Sequence, residues 1–299
     1  MNGLIMSNEN ETESVLIEHP LLVSLILTFV YGFAIYLPDY LDLENVFFTN
    51  PSPFERISFE FVSRFTLSGL LWIFVVPISL YLMKGLTSRD FLRTIRLHPN
   101  QISSRSILLG LTVSISFFIC VVLTAMLLGV YTSNFSLLTS PDYENGLGWF
   151  IFVFALIPGI WEEIAFRGII FSFLLSRYSV GKALLLDSVL FSLFHIFNYL
   201  LLNQDLSSVL FQSIAAIPVG LSLAYLVVKT DSILPAILIH YSIDVTLFIS
   251  GFIFDLSNTS STLIFALLSL IVIPPFLILL FSWIFSSNGK DHTTDLKGK

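Results

Sequence analysis

The chain has 299 residues, of which 55% are hydrophobic and only 12% charged, with a mean hydropathy of +0.88. That composition excludes an ordinary soluble domain and places the chain in a bilayer. The net charge of −7 owes much to Glu9, Glu11, Glu13 and Glu18 near the start, and no basic face suits nucleic acid. The single cysteine, Cys120, cannot close an intrachain disulfide and belongs to no CxxC metal site.

About 20 apolar residues span a bilayer. In chain order, spans are expected near Pro20 to Leu37, Phe65 to Met83, Ile107 to Val130 and Trp149 to about Phe171. Four more are expected near Ala183 to Leu202, Val209 to Val228, Ile233 to Phe254 and Leu263 to Phe285. The fold class is therefore an all-α polytopic bundle of about eight transmembrane helices. The first 19 residues are acidic and lack the basic n-region of a secretory signal, so the apolar run after them is expected to be a retained helix.

Basic residues set the orientation. With a cytoplasmic N-terminus, the inside loops hold Lys84, Arg89, Arg93, Arg96, Arg105, Arg177, Lys182, Lys229, Lys290, Lys297 and Lys299. The outside loops then hold only Arg56 and Arg64, so both termini are expected in the cytoplasm. No internal repeat and no long linker is visible. Three glycosylation tripeptides, beginning at Asn10, Asn134 and Asn258, are short enough to recur by chance.

The stretch PGIWEEIAFRGII, Pro158 to Ile170, sets Glu162, Glu163 and Arg167 in an otherwise apolar span. Each charge at the centre of a spanning helix costs roughly 2.5 to 3.5 kcal/mol, so three oppose insertion by about 7 to 10 kcal/mol before pairing. At α-helical pitch Glu163 and Arg167 share a face and can pair, whereas Glu162 points about 100° away. The bland reading is a structural ion-pair network at the end of the helix. It accounts for Glu163 and Arg167 better than for Glu162.

Two further polar insertions follow, in LFSLFHIFNYL and ILIHYSIDVTL. Phe191 and His195 share a face, with the imidazole roughly 18 Å along its span; His240 lies about 10 Å along its own. His240 and Asp244 also share a face, so the carboxylate can hold one ring nitrogen while the other points into the bundle. A lone intramembrane histidine often only bonds one helix to another. Three helices contributing Glu, His and His with Asp instead suggest one buried polar site that polarises a water and stabilises an oxyanion.

EEIAFR (Glu162 to Arg167), FSLFH (Phe191 to His195) and HYSID (His240 to Asp244) resemble the EExxxR, FxxxH and HxxxN/D motifs of the CAAX protease and bacteriocin-processing family, also called Abi. They occur in the family's order, on separate helices, over about Trp149 to Phe254. The resemblance implies an intramembrane glutamate-type endopeptidase, typified by the enzyme that trims prenylated CAAX tails. It implies Glu162 as general base and His195 as an aid in positioning the water. His240 and Asp244 would stabilise the oxyanion, while Glu163, Arg167 and Phe191 support the helix and cleft. The CAAX-processing members typically carry Asn where this chain has Asp244. An ionised Asp cannot donate to an oxyanion, so its expected role is to orient His240 and favour its protonated form.

On this reading the chain divides into an acidic tail (1–19), N-terminal transmembrane helices without motifs (20–148), a catalytic core (149–254) and a last helix with the C-terminal tail (255–299). The expected partners are the lipid bilayer and a membrane-anchored protein or peptide substrate. The expected location is a multi-pass position in a bacterial plasma membrane. No cofactor is expected, although one Glu and two His keep a zinc alternative open, without an HExxH. A rhomboid-type serine site would want a GxSG-like element, and PVGLSLAY (Pro218 to Tyr225) lacks the second glycine. An aspartyl dyad of Asp187 and Asp244 is conceivable, but Asp187 is expected close to the cytoplasmic end of its helix. The alternative from another class is a non-enzymatic transporter, immunity or scaffold protein. PVGLSLAY and VIPPFLIL (Val272 to Leu279) are expected to interrupt two helices as transport would require.

Overall fold

The computed structural model describes residues 18–84, 87–132, 148–202, 204–255 and 259–286. The three glycosylation tripeptides and nearly all of the acidic tail lie, in whole or in part, outside the described residues. Among the described residues, seven helices are long and apolar enough to cross a membrane: α1 (Pro20–Tyr40), α2 (Pro53–Tyr81), α3 (Ser104–Leu127), α4 (Gly148–Leu175), α5 (Val180–Leu202), α6 (Leu206–Thr230) and α8 (Ser260–Phe285). The remaining expected span is α7 (Leu234–Ile253), a helix of 20 residues with a shorter apolar stretch. The protein is an all-α polytopic bundle, and among the described residues the one β-type pairing is the isolated bridge between Tyr131 and Phe254.

Local chemistry sets several of the helix starts. Ser52 and Glu55 form a reciprocal capping box before α2, with Pro53 in the first turn; Asp205 accepts from the Ser208 amide at the start of α6. Both satisfy donors that a helix start leaves open. At the far end of α3, Thr132 N donates to Ile253 O at 2.8 Å and Asp255 N to Val130 O at 2.6 Å, so the ends of α3 and α7 are tied together.

The layering runs against hydropathy, because lipid accepts the most apolar spans and the polar groups gather in the interior. In α4, 61% of the most apolar window is buried, against 28% in α3 and in α8, so α4 runs through the centre while α3 and α8 border lipid. Helix α5 packs along α6 and against α1, α7 packs along α3, and the start of α4 packs on both α7 and α2. Two glycines permit close approaches around α4. A Cβ on Gly159 of α4 would come within 2.9 Å of Tyr241 Cβ and 3.0 Å of its Cα on α7. A Cβ on Gly220 of α6 would come within 3.0 Å of Arg167 and 3.2 Å of Phe191. The two positions set the distances from α4 to α7 and α6.

The expected interruptions do not break their helices. Pro218 lies inside α6, which continues from Leu206 to Thr230, since a membrane helix accommodates a proline by local adjustment of the freed carbonyl. Pro274 and Pro275 follow a π-helical stretch, Leu267–Val272, and the helix runs on to Ser286.

Candidate active site

Glu162 closes one wide-turn stretch of α4, and Glu163 lies between it and the next. Residues Ile157–Glu162 and Ile164–Ile170 are π-helical, a form concentrated at functional sites and one that turns by less than 100° per residue. The i, i+4 pairing survives this change of pitch: Arg167 Nη1 is 3.2 Å from Glu163 Oε1, with both side chains fully buried. Glu162 points elsewhere. Its Oε2 is 4.0 Å from Nε2 of His240.

His240, on α7, is engaged at both ring nitrogens. Nδ1 is 2.7 Å from Glu163 Oε1, and Nε2 is 3.3 Å from Asp244 Oδ2. The second contact is an ion-pair distance without hydrogen-bond alignment. Asp244 therefore lies where the i, i+4 spacing expects it, and the other nitrogen does point into the bundle, at Glu163. Glu163 thus serves Arg167 and His240 with one oxygen.

Phe191 is the hub on α5. Its ring lies edge-on to His195 (5.0 Å) and to His240 (5.7 Å), and the Arg167 guanidinium carbon sits 4.2 Å above its centroid. That cation–π contact supplies a partly apolar partner for a buried charge. His195 occupies the turn between the two segments of α5, Val180–Phe194 and Ile196–Leu202, with Nδ1 2.9 Å from Phe191 O. If Nδ1 carries the proton, the other nitrogen is an acceptor. The expected site residues Glu162, Glu163, Arg167, Phe191, His240 and Asp244 are thus in one cluster, and His195 joins it through Phe191.

Asp187 is the residue that sequence reasoning left out of the site. It lies two turns into α5, wholly buried, with Oδ2 3.6 Å from Arg167 Nε. Arg167 is therefore held between carboxyl groups of two helices, Glu163 and Asp187. The signal was present: Asp187, Phe191 and His195 recur at i, i+4, i+8 and share one helical face. Among the described residues no group of three or more His, Cys, Asp or Glu is arranged to hold a metal ion.

Residues 144–246 match the family model described as type II CAAX prenyl endopeptidase Rce1-like. This segment is Rce1-like. The match covers about a third of the 299 residues and includes all three motifs, so the resemblance read from the motifs stands. At family level the match supports a CAAX-protease-like endopeptidase core within this multi-pass membrane protein. It contains Glu162, Glu163, Arg167, Asp187, Phe191, His195, His240 and Asp244, and excludes α1, α2 and α3. No curated protein and no solved structure matches the chain.

Proposed function

We propose that the protein hydrolyses a peptide bond of a membrane-associated protein or peptide with water activated by Glu162. The observation that carries this reading is the division of labour between adjacent carboxylates: Glu163 takes Arg167 and His240 Nδ1, whereas Glu162 faces His240 Nε2 at 4.0 Å. A desolvated carboxylate beside an imidazole N–H is the pairing a water needs to become a nucleophile next to a stabilised carbonyl oxygen.

Glu162 takes one proton from the water as its oxygen bonds to the scissile carbonyl carbon. The carbonyl π electrons move to oxygen, and His240 Nε2–H donates to that oxyanion. Glu162 then returns the proton to the amide nitrogen as the C–N bond breaks, leaving a carboxylic acid and an amine. Asp244 and Glu163 hold the imidazole from both sides, and with two acceptors facing it the ring acts as donor at both nitrogens. That commitment also leaves His240 no lone pair for a metal, which favours a metal-free mechanism over the zinc alternative. His195 positions the water. Cytoplasmic access in a bacterial plasma membrane fits the distribution of basic loops.

The substrate class is a hydrophobically anchored peptide, such as a prenylated CAAX tail or a bacteriocin or pheromone leader. The test is a comparison of peptide ends in membranes carrying the wild-type protein or Glu162→Gln. Ends that depend on Glu162 support the reading and name the substrate; identical sets of ends contradict it.

A further inference from the structure

Two helices outside the Rce1-like segment bring polar groups to the same place. Tyr31 of α1 and Ser68 and Trp72 of α2 are each wholly buried, and the Tyr31 hydroxyl, Ser68 Oγ and Trp72 Nε1 have no hydrogen-bond partner. They form one group. The Tyr31 ring lies 5.2 Å from that of Trp72 at 65°, and its hydroxyl is electrostatically coupled to Glu162.

The position of Tyr31 is fixed by its ring. It stacks on Phe194 at 5.0 Å and 6°, and Phe194 in turn lies 5.6 Å from Phe166 of α4 and 6.0 Å from His195. The phenol is thus clamped against the residue that precedes one site histidine. Nearby Tyr36 makes an instructive contrast: its hydroxyl donates to Asn198 Oδ1 at 2.5 Å, so it is already engaged. Buried hydroxyls are almost always paired by protein, water or ligand, and an orphan beside a reacting group points to a partner that arrives with the substrate.

We infer that Tyr31 is a further catalytic residue, its hydroxyl donating to the oxyanion of the tetrahedral intermediate alongside His240, with Phe194 and Trp72 holding the ring. This rests on the glutamate-activated hydrolysis above. The phenol keeps its proton throughout, and no bond to Tyr31 forms or breaks. The site is therefore completed by the N-terminal helices, which carry none of the three motifs.

Tyr31→Phe tests this, because it removes the hydroxyl and keeps both ring contacts. The protein is reconstituted in liposomes and presented with farnesylated CAAX-ended peptides and unprenylated hydrophobic peptides, and Glu162→Gln is assayed beside it. The expected result is a fall in kcat on the order of 10²-fold, with KM within about twofold and an unchanged thermal midpoint. Binding of a phosphonate mimic of the tetrahedral intermediate weakens by a similar factor, while product peptide binds as before. Wild-type kcat in Tyr31→Phe with an inactive Glu162→Gln overturns the role of Tyr31 alone. A loss of kcat matched by a lowered thermal midpoint and weaker product binding also overturns it, in favour of a structural role. Full cleavage by Glu162→Gln, or no cleavage of any peptide by the wild type, removes both this inference and the hydrolytic reading beneath it.

Discussion

Glu163 Oε1 lies 2.7 Å from His240 Nδ1, and the same oxygen is 3.2 Å from Arg167 Nη1. One carboxylate oxygen thereby ties α4 to α7 and anchors the guanidinium that reaches Asp187 on α5. A buried ion pair is not in itself a source of stability, but removing one member of it leaves an uncompensated charge. Asp187→Ala is accordingly expected to destabilise the bundle by about 3 kcal/mol or more, and Asp187→Asn by less. Unfolding in mixed micelles measures this; an unchanged midpoint for Asp187→Ala would show that Arg167 does not depend on Asp187.

Much of this arrangement could be read in advance, and the limits have physical causes. The spans were legible because hydropathy over some 20 residues is a strong signal, and the Glu163–Arg167 pair because it needs only local spacing. The π-helical pitch of α4 was not, since no residue type marks it. Asp187 was discounted by an expected helix end, although its spacing to Phe191 and His195 placed it on their face. Tyr31 carried no signal at all: its relation to Phe194 depends on how α1 packs against α5, which no local pattern encodes. The prolines of α6 and α8 misled, because membrane helices keep their course through a proline that would end a helix in water.

Asp244→Asn keeps the shape of the side chain and an acceptor oxygen toward His240 Nε2. Because Glu163 still holds the other nitrogen, this variant is expected to retain activity within about tenfold, a cost of roughly 1.4 kcal/mol in the barrier. Steady-state cleavage decides it, and complete loss would show that the charge of Asp244 is itself required.

The close approach of α4 and α7 at Gly159 predicts a sharper effect from a small change. A methyl group there meets Tyr241 backbone at about van der Waals overlap, 3.0 Å from Cα, and backbone cannot rotate away. Gly159→Ala should cost about 1 to 3 kcal/mol by overpacking and push His240 from both glutamates, lowering kcat with it. Gly220→Ala meets the end of the Arg167 side chain at 3.0 Å, so it should be milder. Thermal midpoints and kcat of the two variants rank them, and equal tolerance of both would contradict the packing account.

Metal chemistry is separable by a direct experiment. With both nitrogens of His240 facing carboxylates, activity should persist after exhaustive chelation and dialysis. Loss of cleavage that zinc alone restores would instead establish a metalloprotease.

The central claim is that Glu162, not its neighbour, activates the water. The most direct measurement is kcat of purified, reconstituted Glu162→Gln on a peptide that the wild type cleaves, with its thermal midpoint as a check on folding. The account predicts a loss of about 10³-fold or more, in the upper half of the roughly 10²–10⁴ range of a single general base, with the midpoint kept. Cleavage at the wild-type rate by the folded variant would contradict it.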